Sequence, residues 1–409
     1  MSPRVLRALD AEPGDLDEWM SALAGALGGS GPALLPVPAG PAGVRSALLE
    51  ALRPDDPSAP LESDDVALVV PTSGSRGVPK GALLSAAALR GSAAATHARL
   101  GGAGSWVLAL PLTHVAGLMV LVRAIEGGGT VSRVALSEGF DAAGFDAVTA
   151  AAAGAARLEG QPLYTSLVPT QLARLLDAGV DLSPYSAILL GAAAAPDRLL
   201  ARARAAGAVV VTTYGMSETC GGCVYDGRAL DGTSVGIDTN GRVVLAGPSV
   251  FSGYRLRPDL TAEALDRDGG FITGDVGEVA EDGRLQLLGR TDDVIISGGE
   301  NIVPAVVEGA LAALPGIAAC AVVGVADATW GEQVVALVVA GPGASSAPTL
   351  TGVRAALAER LPSTWRPTRL VVVPTIPLLA TGKPDRRALR ALATEDSGLH
   401  EVQPPTKET

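Results

Sequence analysis

Lysine is nearly missing from this chain. Lys and Arg together number 31, yet lysine stands only at Lys80, Lys383 and Lys407, and arginine serves everywhere else. Acidic residues number 43 and the net charge is −12, which argues against a nucleic-acid backbone as partner. Three cysteines, Cys220, Cys223 and Cys320, are too few for a disulfide framework in 409 residues. Histidine is equally rare, at His97, His114 and His400, without the paired spacing of a zinc site. The most apolar stretch, Trp106 to Ile125, is interrupted by Pro111, His114 and Arg123, so no membrane span is expected. The first residues lack the apolar core of a signal peptide, and a cytoplasmic protein is the expectation.

What is present is a chain 48% hydrophobic and 18% charged, long enough for two or three domains. Short apolar runs at 66–70, 106–110, 187–190, 208–212 and 243–246 have the composition of buried strands. Helical segments at 85–99, 169–178 and 197–206 alternate with them, and weaker helical patterning lies around Leu16–Leu27. Strands alternating with helices predict an α/β architecture. After Thr233 the strands shorten and become turn-linked. A second, compact α+β unit begins near Asp292, with strands at 294–296, 318–325, 334–339 and 369–373 and helices at 304–314 and 350–361. The expected organisation is therefore a large N-terminal domain of mixed sheets and helices (1–290), a smaller C-terminal domain (291–393) and a disordered polar tail (394–409).

The sharpest feature is Thr72-Ser-Gly-Ser-Arg-Gly-Val-Pro-Lys-Gly81, directly after the 66–70 strand. Gly74, Gly77 and Gly81 free the backbone to turn its N–H groups inward as an anion-binding nest. Thr72, Ser73 and Ser75 add hydroxyl donors, and Lys80 adds a compact ammonium where the chain otherwise uses arginine. Lys80 is followed by Gly81 and not by Ser or Thr, so this is not the phosphate loop of the common NTPases. A flexible surface turn is the plainer alternative.

This loop closely resembles the phosphate-binding loop of the adenylate-forming enzymes, the family of acyl-CoA synthetases, peptide-synthetase adenylation domains and luciferases. Further segments resemble that family in the same order. They are Pro111-Leu-Thr-His-Val-Ala-Gly117, Tyr214-Gly-Met-Ser-Glu-Thr219, Thr273-Gly-Asp275, Gly289-Arg-Thr-Asp-Asp293, Ser297-Gly-Gly-Glu-Asn301 and Thr381-Gly-Lys-Pro-Asp385. The resemblance implies ATP, Mg²⁺ and coenzyme A as co-substrates and cofactor, with no carrier domain in the chain. A carboxylate would attack the α-phosphate of ATP and pyrophosphate would leave, a reaction dominated by cations and positioned donors.

By the same resemblance Tyr214 stacks on adenine, Asp275 and Arg290 bind the ribose, and Glu218 holds Mg²⁺. Thr219 donates to the α-phosphate, and Lys383 meets both carboxylate and α-phosphate. The C-terminal domain is implied to be a mobile lid that turns about Asp292, with Gly298 and Gly299 approaching the thiol in its second arrangement. For those two glycines a tight turn without a ligand is the alternative.

Within the family, Tyr164-Thr-Ser-Leu-Val-Pro-Thr-Gln-Leu172 and Tyr214–Cys223 resemble the o-succinylbenzoate–CoA ligases of menaquinone biosynthesis. That acid carries two carboxylates, one activated and one only held. Arg123 and Ser166 match positions expected near the second, and His114 is a pocket-wall residue. A helix-terminal arginine in solvent is the alternative for Arg123. Other aromatic or aliphatic acids, and a non-catalytic nucleotide-binding homologue, stay open. So does the oligomeric state, a homodimer included. Cys220 and Cys223 are expected to pack beside the acyl pocket. Arg76 and Thr113 depart from the family's usual residues.

Overall fold

The computed structural model describes residues 4–11, 16–73, 79–341, 347–378 and 384–395, with Ser73 and Glu395 described by their backbone only. The described chain divides into two compact units. The first holds residues up to Gly236 together with Val244–Thr273 and Val279–Leu285. The second holds Ile237–Val243, Gly274–Glu278 and the chain from Gln286 onward.

Two sheets build the first unit. One is formed by β1 (Leu6–Asp10), β2 (Ala33–Val37), β3 (Val66–Ser73) and β4 (Pro79–Ser85), in that order. The first three strands run parallel and β4 returns antiparallel to β3. Helices α1 (Leu16–Leu27) and α2 (Ala42–Leu52) lie in the connections, and α3 (Ala86–Leu100) follows β4. Ser85 caps α3, its hydroxyl accepting from the N–H of Ala88 at 3.0 Å.

The second sheet has seven strands: β5 (Ser105–Leu108), β6 (Val131–Arg133), β7 (Leu163–Leu167), β8 (Ala187–Leu190), β9 (Val210–Met216), β10 (Gly221–Tyr225) and β11 (Arg228–Ala229). Its spatial order is β11-β10-β9-β8-β7-β5-β6, and the five strands from β9 to β6 are parallel. Helices α4 (Val115–Gly127), α5 (Ala142–Glu159), α6 (Pro169–Asp177) and α7 (Asp197–Ala205) connect them. Because side chains alternate along a strand, the apolar runs serve two cores. Trp106, Leu108, Tyr164, Ala187 and Leu189 pack with α3 and α4, whereas Val107, Leu163, Leu167, Ile188 and Leu190 pack with α5, α6 and α7. Cover on both faces is why these strands are apolar throughout.

The strands β12 (Ser234–Ile237), β13 (Arg242–Ala246), β14 (Phe271–Val279) and β15 (Leu285–Arg290) form a third sheet, with α8 (Pro258–Ala264) between β13 and β14. The division between units is interleaved because β13 and β14 each contribute residues to both. The second unit's own sheet contains β16 (Ile295–Ser297), β17 (Glu300–Ile302), β18 (Ile317–Asp327), β19 (Gly331–Ala340) and β20 (Arg369–Val372). Alternation again separates two cores. Val322, Val334, Ala336 and Val338 meet α9 (Pro304–Ala312) and α10 (Leu350–Ala356). Ala321, Val323, Val335 and Leu337 meet α11 (Arg386–Glu395).

This is the expected α/β architecture, a large N-terminal and a smaller C-terminal domain. Thr394 and Glu395 close α11, so helix extends two residues into the segment expected as tail, and the remainder of that segment lies outside the described residues. Among the described residues no helix is long and apolar enough to cross a membrane.

Candidate active site

In the parallel sheet the carboxyl ends of β5, β7, β8 and β9 lie along one edge, where open α/β sheets place their ligands. Two of the sequence segments sit there. β5 runs into Pro111–Gly117 and the start of α4, and β9 carries Tyr214 and ends in a 3₁₀ turn, Ser217–Thr219. Gly117 is required by packing, since a Cβ there would run into the Pro111 carbonyl oxygen.

The glycine-rich segment is the connection between β3 and β4. Thr72 pairs with Lys80 and Ser73 with Pro79, so β3 and β4 stay antiparallel partners up to these residues. Gly74, Ser75, Arg76 and Gly77 fall outside the described residues, as does the Ser73 side chain. No helix begins directly after this loop, because β4 continues to Ser85. Among the described residues, Thr72 and Lys80 are the groups here that an anion could meet, and no helix dipole from an immediately following helix adds to them. The Thr72 hydroxyl is buried with no hydrogen-bond partner among the described residues, as a donor waiting for a ligand would be.

Lys80 and Glu218 meet through a third residue. Lys80 Nζ lies 4.4 Å from the ring centroid of Tyr254. The Tyr254 hydroxyl donates to Glu218 Oε1 at 2.7 Å. Burial first, then the Glu218 charge and this hydrogen bond, push the Tyr254 pKa above its ordinary value, so Tyr254 stays a donor. The carboxylate of Glu218 is 8% exposed and keeps lone pairs for a hard cation.

Thr219 does not suit the role expected of it. Its side chain is fully buried, its Oγ1 accepts from Met216 N–H at 3.0 Å, and its one proton points back at carbonyls, 2.8 Å from Gly221 O and 3.2 Å from Met216 O. The hydroxyl holds the 3₁₀ turn together. Ser217, two residues earlier in that turn, is only half-buried. Sequence adjacency alone did not separate the two.

On the acyl side, His114 occupies the N-cap position of α4 and is exposed at the sheet edge. Arg123 is 3% exposed, which removes the solvent reading of that residue. Its guanidinium lies 5.3 Å from the Trp106 ring centroid, and Nη2 reaches the Tyr225 hydroxyl at 3.5 Å. Among the described residues no carboxylate pairs with it, and its Nε has no partner. Burial, and next the Arg123 charge, lower the pKa of the neighbouring His97. Ser166 shares the face of β7 that carries Tyr164, the face that packs with α4, and its buried hydroxyl is also without a partner.

Cys220 and Cys223 are both buried, and burial pushes the Cys223 thiol up to about 11 and Cys220 higher still. Neither is a reactive thiolate at neutral pH.

The second unit gathers its own group. Arg290 Nη1 donates to Asp275 Oδ1 at 3.0 Å, and Nη2 lies 3.6 Å from Asp292. Asp292 sits in a 3₁₀ turn (Thr291–Asp293) with its side chain 71% exposed. Gly298 (φ +60°) and Gly299 (φ +87°) form the two-residue turn of the β16–β17 hairpin, with Ser297 opposite Glu300. Two positive φ values in a two-residue hairpin demand such residues whether or not a thiol passes. Lys383 lies outside the described residues. Just beyond it, Arg386 at the start of α11 donates to Glu308 at 2.6 Å and lies 3.7 Å from Asp293.

An α/β fold with a small second domain, carrying the segments at 111–117, 214–219, 273–275 and 289–293 in this order, is that of an adenylate-forming enzyme. The family models agree: residues 17–255 match "AMP-binding enzyme" and residues 306–383 match "AMP-binding enzyme C-terminal domain". The chain belongs to the AMP-binding enzyme family. It is 44% identical over 392 residues to a protein named probable 2-succinylbenzoate–CoA ligase from Mycobacterium tuberculosis, covering 94% of this chain and 97% of that one. Among solved structures, ATP-bound MatB from Rhodopseudomonas palustris shares the fold, with TM-score 0.78 and 24% identity over 97% of this chain and 90% of the other. The o-succinylbenzoate CoA synthetase MenE from Bacillus subtilis, in complex with the acyl-adenylate OSB-AMP, has TM-score 0.68 and 27% identity over 94% and 82%.

Proposed function

We propose that this enzyme converts o-succinylbenzoate, ATP and coenzyme A into the acyl-CoA thioester, AMP and pyrophosphate, the step its relatives are named for. The observation that carries the choice of acid is Arg123. A buried guanidinium with no carboxylate partner costs several kcal/mol unless an anion joins it. A substrate with a second, unreactive carboxylate supplies that anion, and the Ser166 hydroxyl offers it a further donor.

The residues divide the work as follows. Thr72, the amides of the following loop and Lys80 grip the phosphate tail. Tyr214 lies against the adenine, while Asp275 and Arg290 take the ribose hydroxyls. Glu218 would hold Mg²⁺, which supplies charge neutralisation for the phosphates. Arg123 and Ser166 hold the aromatic carboxylate, which leaves the succinyl carboxylate free to attack. Its oxygen bonds to the α-phosphorus as the bond to pyrophosphate breaks. Ser217 and Lys383 donate to the developing charge, Lys383 being carried in by the C-terminal lid as it turns about Asp292. After the lid turns back, the thiol sulfur attacks the acyl carbon and AMP leaves.

Pyrophosphate release from the protein with ATP, Mg²⁺ and a panel of acids tests this reading. Release that depends on o-succinylbenzoate supports it. Release only with other aromatic or aliphatic acids moves the specificity, and none with any acid leaves a nucleotide-binding homologue. Lys383→Ala should abolish adenylation yet spare thioester formation from preformed acyl-adenylate.

A further inference from the structure

We infer that Tyr254 is a positioning residue that keeps Lys80 and Glu218 apart and separately oriented, so that one stays available to phosphate and the other to the metal. The inference rests on the ATP and Mg²⁺ roles proposed above. Three observations carry it.

First, the backbone around Tyr254 is fastened to both neighbours. Leu83 N–H donates to Gly253 O at 2.9 Å, Ser252 N–H to Leu83 O at 2.9 Å and Arg255 N–H to Gly81 O at 2.8 Å, so the segment extends the free edge of β4, the strand that bears Lys80. Phe251 N–H donates to Glu218 O at 2.8 Å, tying the same segment to the 3₁₀ turn. Arg255 acts as a rivet: its buried guanidinium donates to the Leu52 and Pro60 carbonyls at 2.9 Å each and pairs with Glu62 at 3.1 Å.

Second, the ring itself has little freedom. Tyr254 is 5% exposed and packs edge-on against Phe251 at 4.8 Å, which in turn meets Phe271 at 5.4 Å. Third, one side chain addresses both charges at once. Its face lies under the ammonium at 4.4 Å and its hydroxyl donates to the carboxylate at 2.7 Å.

Lys80 and Glu218 form no ion pair with each other. A direct salt bridge between these opposite charges would occupy the phosphate cation and the metal ligand together. The aromatic face satisfies the ammonium without neutralising it, and the hydroxyl aims one carboxylate oxygen while leaving the other free.

The test uses ATP binding without any acid, so that no turnover occurs, measured by calorimetry with Mg²⁺ and with EDTA. For Tyr254→Phe, affinity in EDTA should stay near wild type while the gain contributed by Mg²⁺ falls about tenfold. In a Glu218→Gln background the same change should have no further effect. A Tyr254→Phe protein that loses affinity equally in both conditions, or retains the full Mg²⁺ gain, overturns the inference. So does a loss that persists in the Glu218→Gln background. If the wild type itself binds no ATP, it is the functional reading that has failed. Thermal melting of Tyr254→Phe, which keeps the ring, reports whether the fold is intact. Tyr254→Leu then serves as second variant: removing the spacer should weaken ATP binding even in EDTA, and unchanged binding would count against the spacer.

Discussion

Arg290 and Asp275 are joined by a 3.0 Å ion pair across β15 and β14, with the arginine side chain 53% exposed and the aspartate 15%. An ion pair that open to solvent contributes about 0.2–1 kcal/mol to stability. In the function proposed above its value would be geometric, holding two groups of opposite hydrogen-bonding character side by side for a pair of ribose hydroxyls. Asp275→Ala and Arg290→Ala should each leave the melting temperature within about 3 °C of wild type. Each should raise the KM for ATP about tenfold, a loss of about 1.4 kcal/mol. Large destabilisation with unchanged KM would reassign the pair to structure.

Arg123 leads to an opposite expectation from most buried residues. Replacing a packed core side chain usually costs stability, but an unpaired buried charge is itself a burden on the fold. Arg123→Met keeps most of the volume and the contact with Trp106 while removing the charge. The variant should be as stable as wild type or more so, by up to about 4 kcal/mol. Its KM for o-succinylbenzoate should rise more than about tenfold, with the KM for ATP unchanged. Denaturant melts and initial rates of pyrophosphate release measure both. A destabilised variant with normal substrate affinity would mean that Arg123 serves packing alone.

Much of this molecule is legible from the chain, and the parts that are not share a physical cause. The strand at Ala187–Leu190 and the helix at Leu16–Leu27 lie where the apolar pattern places them, because each is bounded by turn-forming or polar residues. Helix α5 is not legible from the apolar pattern. Its buried positions Phe145, Thr149, Ala152 and Ala156 are spaced as a helix face should be, but in an alanine-rich stretch that face contrasts little with the rest. The site is legible as segments and not as contacts. Nothing in Tyr214–Thr219 tells which hydroxyl of a one-turn helix faces inward, and only the 3₁₀ geometry turns Thr219 toward its own backbone. Tyr254 is not legible in this way, because it stands outside the short motifs whose composition signals chemistry. The scarcity argument that singled out the lysines applies to it too, in a chain with five tyrosines.

The hairpin at Gly298 and Gly299 separates a turn requirement from a passage for the thiol. A Cβ on Gly299 would meet nothing within 4 Å, and asparagine tolerates its positive φ. Gly299→Asn should therefore fold normally and release pyrophosphate at the wild-type rate. Thioester formation from acyl-adenylate should slow about tenfold if the backbone must come close to the pantetheine arm. Gly298→Ala, by contrast, puts a Cβ 2.8 Å from the Trp330 ring and should cost about 1–2 kcal/mol of stability. Equal wild-type rates of both half-reactions in Gly299→Asn would leave the glycines as a turn and nothing more.

Cys223 gives the pH dependence of stability a definite sign. Burial raises its thiol from 9.0 to about 11. Above pH 9 the unfolded chain loses this proton while the folded chain keeps it, so the unfolded state binds fewer protons and gains stability relative to the native state. The contribution is complete below pH 9 and drains away as pH rises toward 11, by up to about 3 kcal/mol. Cys220, buried beside it and raised further, acts in the same direction. Urea melts of wild type and of Cys223→Ala between pH 8 and 11 should therefore converge as pH rises, since the alanine variant has no thiol to ionise there. Parallel curves over that range would show that the thiol ionises as readily in the folded protein as in the unfolded one.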